Sequence, residues 1–374
     1  MKEAIIVGGG LAGGAAATLL AQAGRPVLLL EREAEPVDKV CGEFLSIEAQ
    51  HHLARLGLDL DHLGATRIGT LRVAFGRRTV ETPLPFVARG LTRKRLDSAL
   101  LDRAANAGAR IERGFTVRSI APGRIDTSRG ELRSDLLLLA SGKHEVRGAG
   151  RDVAGCDAGY VGFKTYWRLP RRARTGLDGQ IDVILFDGGY AGLQMVEGEV
   201  ANLCLLIEKS RLAALGGNWA GVLDALLREP HAAALLGDAE QCSPKPLTIA
   251  GVPYGFLHRA DPAETAFRLG DQAAVIPSFC GEGMAIALHS AAVAAAVIGE
   301  GARAADHHAI LRRDFQRRLR LSIALQRAGQ KTWSRELVLK TLRLWPGVAK
   351  HIIALTRIPS DPTDGRHHGL SPRR

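Results

Sequence analysis

The sequence predicts a mixed α/β fold in which a parallel-sheet domain is interrupted by an antiparallel sheet and followed by helices. Three observations carry this. A strand, glycine turn, helix and second strand open the chain, alternating apolar and polar residues fill its middle, and a helical, arginine-rich pattern closes it. At 374 residues, two domains are expected rather than one small core.

Ala4 to Val7 is an apolar run that ends in glycines, followed by an Ala/Leu-rich stretch to Ala23, the turn Gly24-Arg25-Pro26 and a second apolar run, Val27 to Leu30. This is a βαβ unit, Rossmann-like, and its unbroken aliphatic strands imply burial on both faces. Ser46 to Leu56 and Leu96 to Ala107 read as helices. Thr70 to Pro83 reads as an antiparallel pair turning at Gly76-Arg77-Arg78, and Arg110 to Glu112, Thr116 to Ile120 and Leu136 to Ala140 as strands. From Tyr160 the texture changes: Val161, Phe163, Thr165 and Trp167 alternate with Gly162, Lys164, Tyr166 and Arg168. The runs Ile181 to Phe186, Gly192 to Val196 and Ala201 to Ile207 follow, so an antiparallel sheet is expected. Trp219 to Arg228 reads as a helix and Phe267 to Leu269 as a buried strand. Beyond Ala302 the pattern is helical, broken by Pro346. The expected division is 1–70, 91–155 and 262–302 for the parallel-sheet domain, 71–90 and 156–261 for the antiparallel one, 303–358 for a basic helical segment and 359–374 for a flexible tail.

Hydrophobic content of 46% with 24% charged residues excludes a disordered chain, collagen and a coiled coil. Glycine, at 43 residues, is in excess, which implies several places where backbone closely approaches something. The net charge of +11 is localised. Residues 1–302 carry 34 basic and 34 acidic residues, whereas 303–358 carry 13 and 3. That distribution, with no recognised nucleic-acid module, argues against nucleic acid as a partner. Arg312, Arg313, Arg317, Arg318, Arg320 and Arg327 interleave with Leu311, Phe315, Leu319, Ile323 and Leu325; Arg335, Lys340 and Arg343 interleave with Leu337, Leu339, Leu342, Leu344 and Trp345. A basic amphipathic segment predicts either peripheral contact with a membrane surface or a stripe packed on the protein with its arginines in water.

Five widely spaced cysteines, with no CxxC pair, suggest neither a zinc site nor a disulfide framework, and no metal is expected. No secretory signal pattern follows Met1. The run Met284 to Ile298 falls short of the about 18 residues that span a bilayer. The expectation is a cytoplasmic protein, with any membrane contact peripheral at the inner face.

Gly8-Gly9-Gly10-Leu11-Ala12-Gly13 matches GxGxxG between a predicted strand and helix. The first glycine permits the sharp turn, the second lets backbone N–H groups approach a pyrophosphate, and the third lets helix and strand pack closely. The anion would sit on the positive end of the helix. Glu31, at the end of the second strand, is placed to accept hydrogen bonds from an adenosine ribose. A dinucleotide is therefore expected.

Further along, Gly270-Asp271-Gln272-Ala273-Ala274 and Pro277-Ser278-Phe279-Cys280-Gly281-Glu282-Gly283-Met284, before a long apolar helix, resemble the second FAD fingerprint of flavoprotein hydroxylases and reductases. Leu91-Thr92-Arg93-Lys94-Arg95-Leu96-Asp97 resembles their arginine-bearing helix start. Lys39-Val40-Cys41-Gly42-Glu43-Phe44-Leu45-Ser46 resembles the Cys-Gly segment of geranylgeranyl reductases and of small hydroxylases. The chain is thus similar to FAD-dependent oxidoreductases of the p-hydroxybenzoate hydroxylase and geranylgeranyl reductase superfamily. That resemblance implies an FAD-binding domain interleaved with an antiparallel-sheet substrate domain, plus C-terminal helices.

The FAD contacts it implies are Gly8, Gly10, Leu11, Ala12, Gly13, Glu31, Arg32, Cys41, Gly42, Arg93, Val117, Gly142, Asp271, Gly281, Gly283 and Met284. It implies an NAD(P)H donor, although Ala140-Ser141-Gly142 departs from the Asp-Gly motif of NADPH-using hydroxylases, with Ser141 in place of the acid. The activity implied is hydroxylation of an aromatic, polyketide-like or lipidic substrate through a C4a-hydroperoxyflavin. The alternative is reduction of isoprenoid C=C bonds, which the Cys-Gly-Glu loop favours. Cys41, Cys280 and His144 are the catalytic candidates, with His289 a further acid–base group. Cys41 and Cys280 are expected to converge near the flavin, or else to be small buried hydrophobes. Phe163, Tyr166, Trp167, Phe186 and Tyr190 are expected either to roof the substrate or to serve as core.

Overall fold

The aliphatic runs form the centre of a five-stranded parallel sheet in the order Phe267–Arg268, Leu137–Leu139, Ala4–Val7, Val27–Glu31 and Arg110–Arg113. The computed structural model describes residues 2–259, 261–329, 341 and 353–359. Ile6, Leu29 and Leu138 are fully buried beneath the helices Leu11–Gln22, Arg93–Asn106 and Gly283–Gly299. On the other face Ile5, Val7, Leu28 and Leu30 pack against a small sheet of Val117–Ala121, Arg124–Thr127 and Gly130–Leu132. Both faces are covered, as a parallel sheet requires.

The second sheet has nine strands among the described residues. Tyr160–Arg168, Ala201–Glu208, Gly189–Met195 and Gln180–Phe186 run antiparallel in that order. The hairpin Thr66–Phe75 and Arg78–Gly90 joins them through a parallel pairing of Gln180–Phe186 with Thr66–Phe75. The sheet is therefore mixed at this seam. The hairpin is contributed before the chain returns to the parallel sheet and Gln180–Phe186 after it, so no tight turn dictates antiparallel pairing.

Alternation along these strands divides the sheet sharply. Phe163, Trp167, Ile184, Phe186, Leu193, Leu203 and their neighbours share a core with the helices Arg171–Leu177, Trp219–Leu227 and Pro230–Leu236. Phe163, Trp167 and Phe186 therefore do not roof a substrate: the two-residue period puts them on the helix-covered face. Tyr166 and Tyr190 lie on the opposite face, with Lys164, Gln194, Asn202 and Cys204.

The helix Ala304–Gly329 runs without a break. Leu311, Phe315 and Leu319 are buried in the main core, while Arg313, Arg317, Arg320 and Arg327 are exposed. This apolar stripe packs on protein, so it is not available for insertion into lipid. Except at position 341, the second basic stretch, from Arg335 to Trp345, lies outside the described residues, as does the tail after Pro359. No described helix is long and apolar enough to cross a membrane.

Candidate functional site

The first glycine loop is set by backbone geometry. Gly8 has φ +105°, and a Cβ there would lie 2.4 Å from Ala140 O; a Cβ on Gly13 would lie 1.8 Å from Gly8 O. Only glycine permits this turn and this approach of helix to strand. Gly10 begins the helix Leu11–Gln22 with no side chain capping the free N–H groups. A Cβ on Gly10 would lie 3.4 Å from Arg93 Nη2 and 3.6 Å from Lys39 Nζ. The helix start and two cations thus converge on one spot, a cradle that fits a pyrophosphate.

Arg93 is held by Asp97, with Nε and Nη2 donating to its two oxygens at 2.9 and 3.0 Å, and Lys39 donates to the same carboxylate at 3.0 Å. Burial would raise the Asp97 carboxyl, but these cations hold it below the usual carboxylate range. Thr92 caps the helix by accepting from Arg95 N, so Arg93 projects from the first turn. Glu31 accepts from Gly9 N at 2.5 Å and from Glu33 N at 2.9 Å, placing its carboxylate beside the loop. Arg32 is exposed and pairs with Glu33. Val117 begins the small sheet.

The second loop is tied to the first domain by side chains. Gln272 Nε2 donates to the carbonyls of Gly142 and His144 at 2.8 and 3.1 Å, and Arg151 donates to Asp271 O at 2.7 Å. Gly281 has φ +68°, and a Cβ there would lie 2.9 Å from the Phe44 ring. Gly283 starts the helix Gly283–Gly299 and Met284 is buried beneath it. A Cβ on Gly42 or Gly283 would meet no other protein atom within 4 Å, so protein packing does not demand glycine at either place.

Between the loops, residues 38–44 are clamped to the polar face of the large sheet. Glu43, at φ +58° and with no exposure, accepts from Lys164 Nζ at 2.5 Å, from Tyr166 Oη at 2.9 Å and from Arg93 N at 2.7 Å. Burial pushes the Glu43 carboxyl up against the pull of Lys164. Tyr166 Oη also reaches Asp38 Oδ1 at 3.1 Å. Gln194 donates to Glu43 O at 2.9 Å, and Asn202 to Cys41 O and Gly42 O at 3.1 and 2.9 Å. Sequence reasoning missed Lys164, Gln194 and Asn202. Their signal was the alternation itself, which sets Lys164 and Tyr166 on the face opposite Phe163 and Trp167.

The catalytic candidates separate. Cys41 Sγ accepts from Glu43 N at 3.4 Å and faces Arg93. Cys280 Sγ instead donates to Ser322 Oγ at 3.2 Å, and burial pushes that thiol up to about 12. The two thiols make separate contacts, Cys41 on the side of Arg93 and Cys280 on the side of the helix Ala304–Gly329. His144 is exposed, and its carbonyl rather than its ring ties the loop. His289 is fully buried, with Nε2 3.0 Å from Asp314 Oδ2 and its ring against His52 and Phe315, so it joins two helices and does not face the sheet. Tyr190 Oη is buried near Tyr254, whose hydroxyl meets Ser278 Oγ at 2.9 Å.

Elsewhere His258, Glu264 and His308 bring three possible ligand atoms within 4.8 Å. Arg268 N donates to His308 Nε2 at 3.1 Å, which leaves the proton of the neutral ring on Nδ1, the nitrogen a cation would need. Arg268 also pairs with Glu264 at 2.6 Å. The cluster is better suited to joining the edge strand to the C-terminal helix.

Residues 1–137 match the family model described as FAD binding domain. The menaquinone reductase of Mycolicibacterium smegmatis is 33% identical over 132 residues, 33% of this chain and 32% of that protein. The squalene monooxygenase of Candida glabrata is 28% identical over 188 residues, 44% of this chain and 38% of that protein. The aligned stretches span only about a third of these relatives' lengths. A solved flavin-dependent brominase superposes with a TM-score of 0.76 at 16% identity, covering 95% of this chain and 93% of its own. The flavin-dependent halogenase CmlS superposes with a TM-score of 0.70 at 23% identity, covering 86% of this chain and 63% of its own. Residues 1–137 therefore match an FAD binding domain, within a chain that has the fold of the flavin-dependent halogenases.

Proposed function

We propose that the chain is an FAD-dependent oxidoreductase that transfers oxygen to an electron-rich aromatic, polyketide-like or lipidic substrate, with NAD(P)H as the electron donor. The observation that carries this reading is the clamped 38–44 loop. It sets a rigid, water-poor sheet face beside the two glycine loops, which suits chemistry in which water must be kept from a reactive centre. FAD, when bound, supplies the two-electron chemistry. Gly10, Arg93 and Lys39 would hold its pyrophosphate, and the backbone at Gly281 and Gly283 would face the ring with the positive end of the following helix behind it. Lys164, Tyr166, Gln194 and Asn202 keep the loop in place and contribute no group that must move. Tyr190 supplies a buried hydroxyl at the substrate side.

A second reading, reduction of an isoprenoid C=C bond, is favoured by Cys41 beside Arg93 in the Cys-Gly-Glu loop and by the similarity to a menaquinone reductase. One experiment separates them. The FAD-loaded chain is reduced without oxygen and offered phenols and isoprenoid quinones, before and after oxygen is admitted, with products read by mass. A gain of one oxygen atom, seen only after oxygen is admitted, supports the first reading. A gain of two hydrogens without oxygen that persists after any quinol has been reoxidised to quinone, and so lies in the isoprenoid chain, supports the second and overturns the first.

A further inference from the structure

Glu282 lies between the two glycines of the second loop, has no exposure, and makes no side-chain bond to the helix it precedes. Its partner comes from 75 residues further along the chain. Arg357 Nη1 pairs with Glu282 Oε1, Arg357 Nη2 donates to Cys280 O at 3.0 Å, and Ile358 N donates to Glu282 Oε2 at 3.3 Å. The guanidinium also lies 5.0 Å over the Phe86 ring, and Ile358 is buried in the main core. The segment is itself held, because Arg318 donates to Arg357 O and, at 2.7 Å, to Asp314 O.

We propose that Arg357 is a positioning residue for the second glycine loop: by pairing with the buried Glu282 carboxyl and holding the Cys280 carbonyl, it fixes the backbone of Gly281 to Gly283 against which a flavin ring would rest. This rests on the FAD reading above. The physical argument is one of charge. The start of the helix Gly283–Gly299 offers partial positive charge to an anionic ligand. An unpaired carboxylate at that start would compete for it, and burying it without a partner is costly. Arg357 removes the competition and, through its second nitrogen, orders the carbonyl just before Gly281.

The groups facing Glu282 are Arg357 and Ile358 N from the C-terminal segment, Glu48 and the Ser46 hydroxyl from the helix Ile47–Arg55 and its cap, and the Cys280 thiol in its own loop. Glu48 Oε2 lies 3.7 Å from Arg357 Nη1, so one guanidinium serves two carboxylates. Burial pushes Glu282 up to about 8, with Arg357 opposing. Loss of Arg357 therefore matters most at high pH, where Glu282 would ionise.

The test uses the full chain and its variants Arg357→Gln, Arg357→Lys, Glu282→Gln and Glu282→Gln/Arg357→Gln. The FAD dissociation constant is measured by flavin fluorescence at about pH 6 and about pH 9, with thermal melting as the control for folding. Arg357→Gln is expected to weaken FAD binding about tenfold or more, and more at the higher pH. Arg357→Lys keeps a charge but not the fork, and is expected to fall between the two. Glu282→Gln/Arg357→Gln is expected to regain most of the affinity and to lose the pH dependence. Binding by Arg357→Gln equal to that of the unaltered chain overturns the proposal. So does a double variant as impaired as Arg357→Gln, which would make Arg357 an anchor and nothing more. Failure of the unaltered chain to bind FAD would overturn the FAD reading itself, a result distinguishable from either.

Discussion

The nucleotide half and the large sheet approach the same site by opposite means. In the first, the work is done by missing side chains: Gly8 and Gly13 let backbone pass within reach of backbone, and Gly10 leaves a helix start open to Arg93 and Lys39. In the second, the work is done by long polar side chains in a dry interior. Lys164, Gln194 and Asn202 reach from the sheet and seize one loop. The difference teaches that the two halves should fail differently. Steric change should break the nucleotide half, whereas unpaired charge should break the sheet.

The largest effect is expected at Gly13, where a valine would force its Cβ against Gly8 O. Gly13→Val should cost more than about 4 kcal/mol in urea denaturation and abolish FAD binding, and a stable variant that binds FAD would dissolve the contrast. Next, Lys164→Met should cost about 3–5 kcal/mol by leaving Glu43 buried and unpaired. Adding Glu43→Gln should recover part of that loss, which no purely steric explanation predicts. On the far face of the same sheet, Phe186→Ala should also cost about 3–5 kcal/mol. Here the affinity for FAD should stay unchanged among the molecules that remain folded, so weaker binding would mean that the two faces are coupled.

A smaller effect is expected from Arg93→Gln, which removes one charged hydrogen-bonding group from the pyrophosphate cradle. The FAD dissociation constant should rise by about 10- to 100-fold, measured by titration, with little change in melting temperature. The smallest is a pH slope. Glu282 has its carboxyl raised from 4.5 to about 8, so the folded chain holds a proton there that the unfolded chain releases. Its contribution to stability is therefore greatest below about pH 4.5 and is lost as pH rises toward 8. Glu282→Gln should flatten that part of a melting-temperature profile, and an unchanged profile would remove Glu282 as the cause.

The same contrast explains what could be read from residues alone. The strand, glycines, helix and Glu31 are local in sequence, and each has one physical reason to be where it is, so the first loop was legible. Tyr166 was singled out only as a roof or core residue and not as a clamp on Glu43, and for Phe163, Trp167 and Phe186 the choice between roof and core stayed open. Both faces of the sheet are buried, one by helices and one by a loop, so an aromatic residue alone does not reveal which face it occupies. Lys164 was hidden for a related reason, since a lysine on a strand ordinarily marks solvent. Here its partner Glu43 lies 121 residues earlier. Arg357 was hidden by distance as well, and its neighbours read only as a basic stretch. The apolar stripe of Leu311, Phe315 and Leu319 was visible, but periodicity does not say whether protein or lipid covers it.

The central claim is that the two glycine loops and the clamped loop between them form one flavin site. Hydrogen–deuterium exchange of the full chain, with and without saturating FAD, tests it most directly. The expected result is protection of residues 8–14, 38–44 and 270–284 together, to a common extent and at one FAD concentration. Protection confined to residues 8–14, with the other two segments exchanging as before, would contradict it.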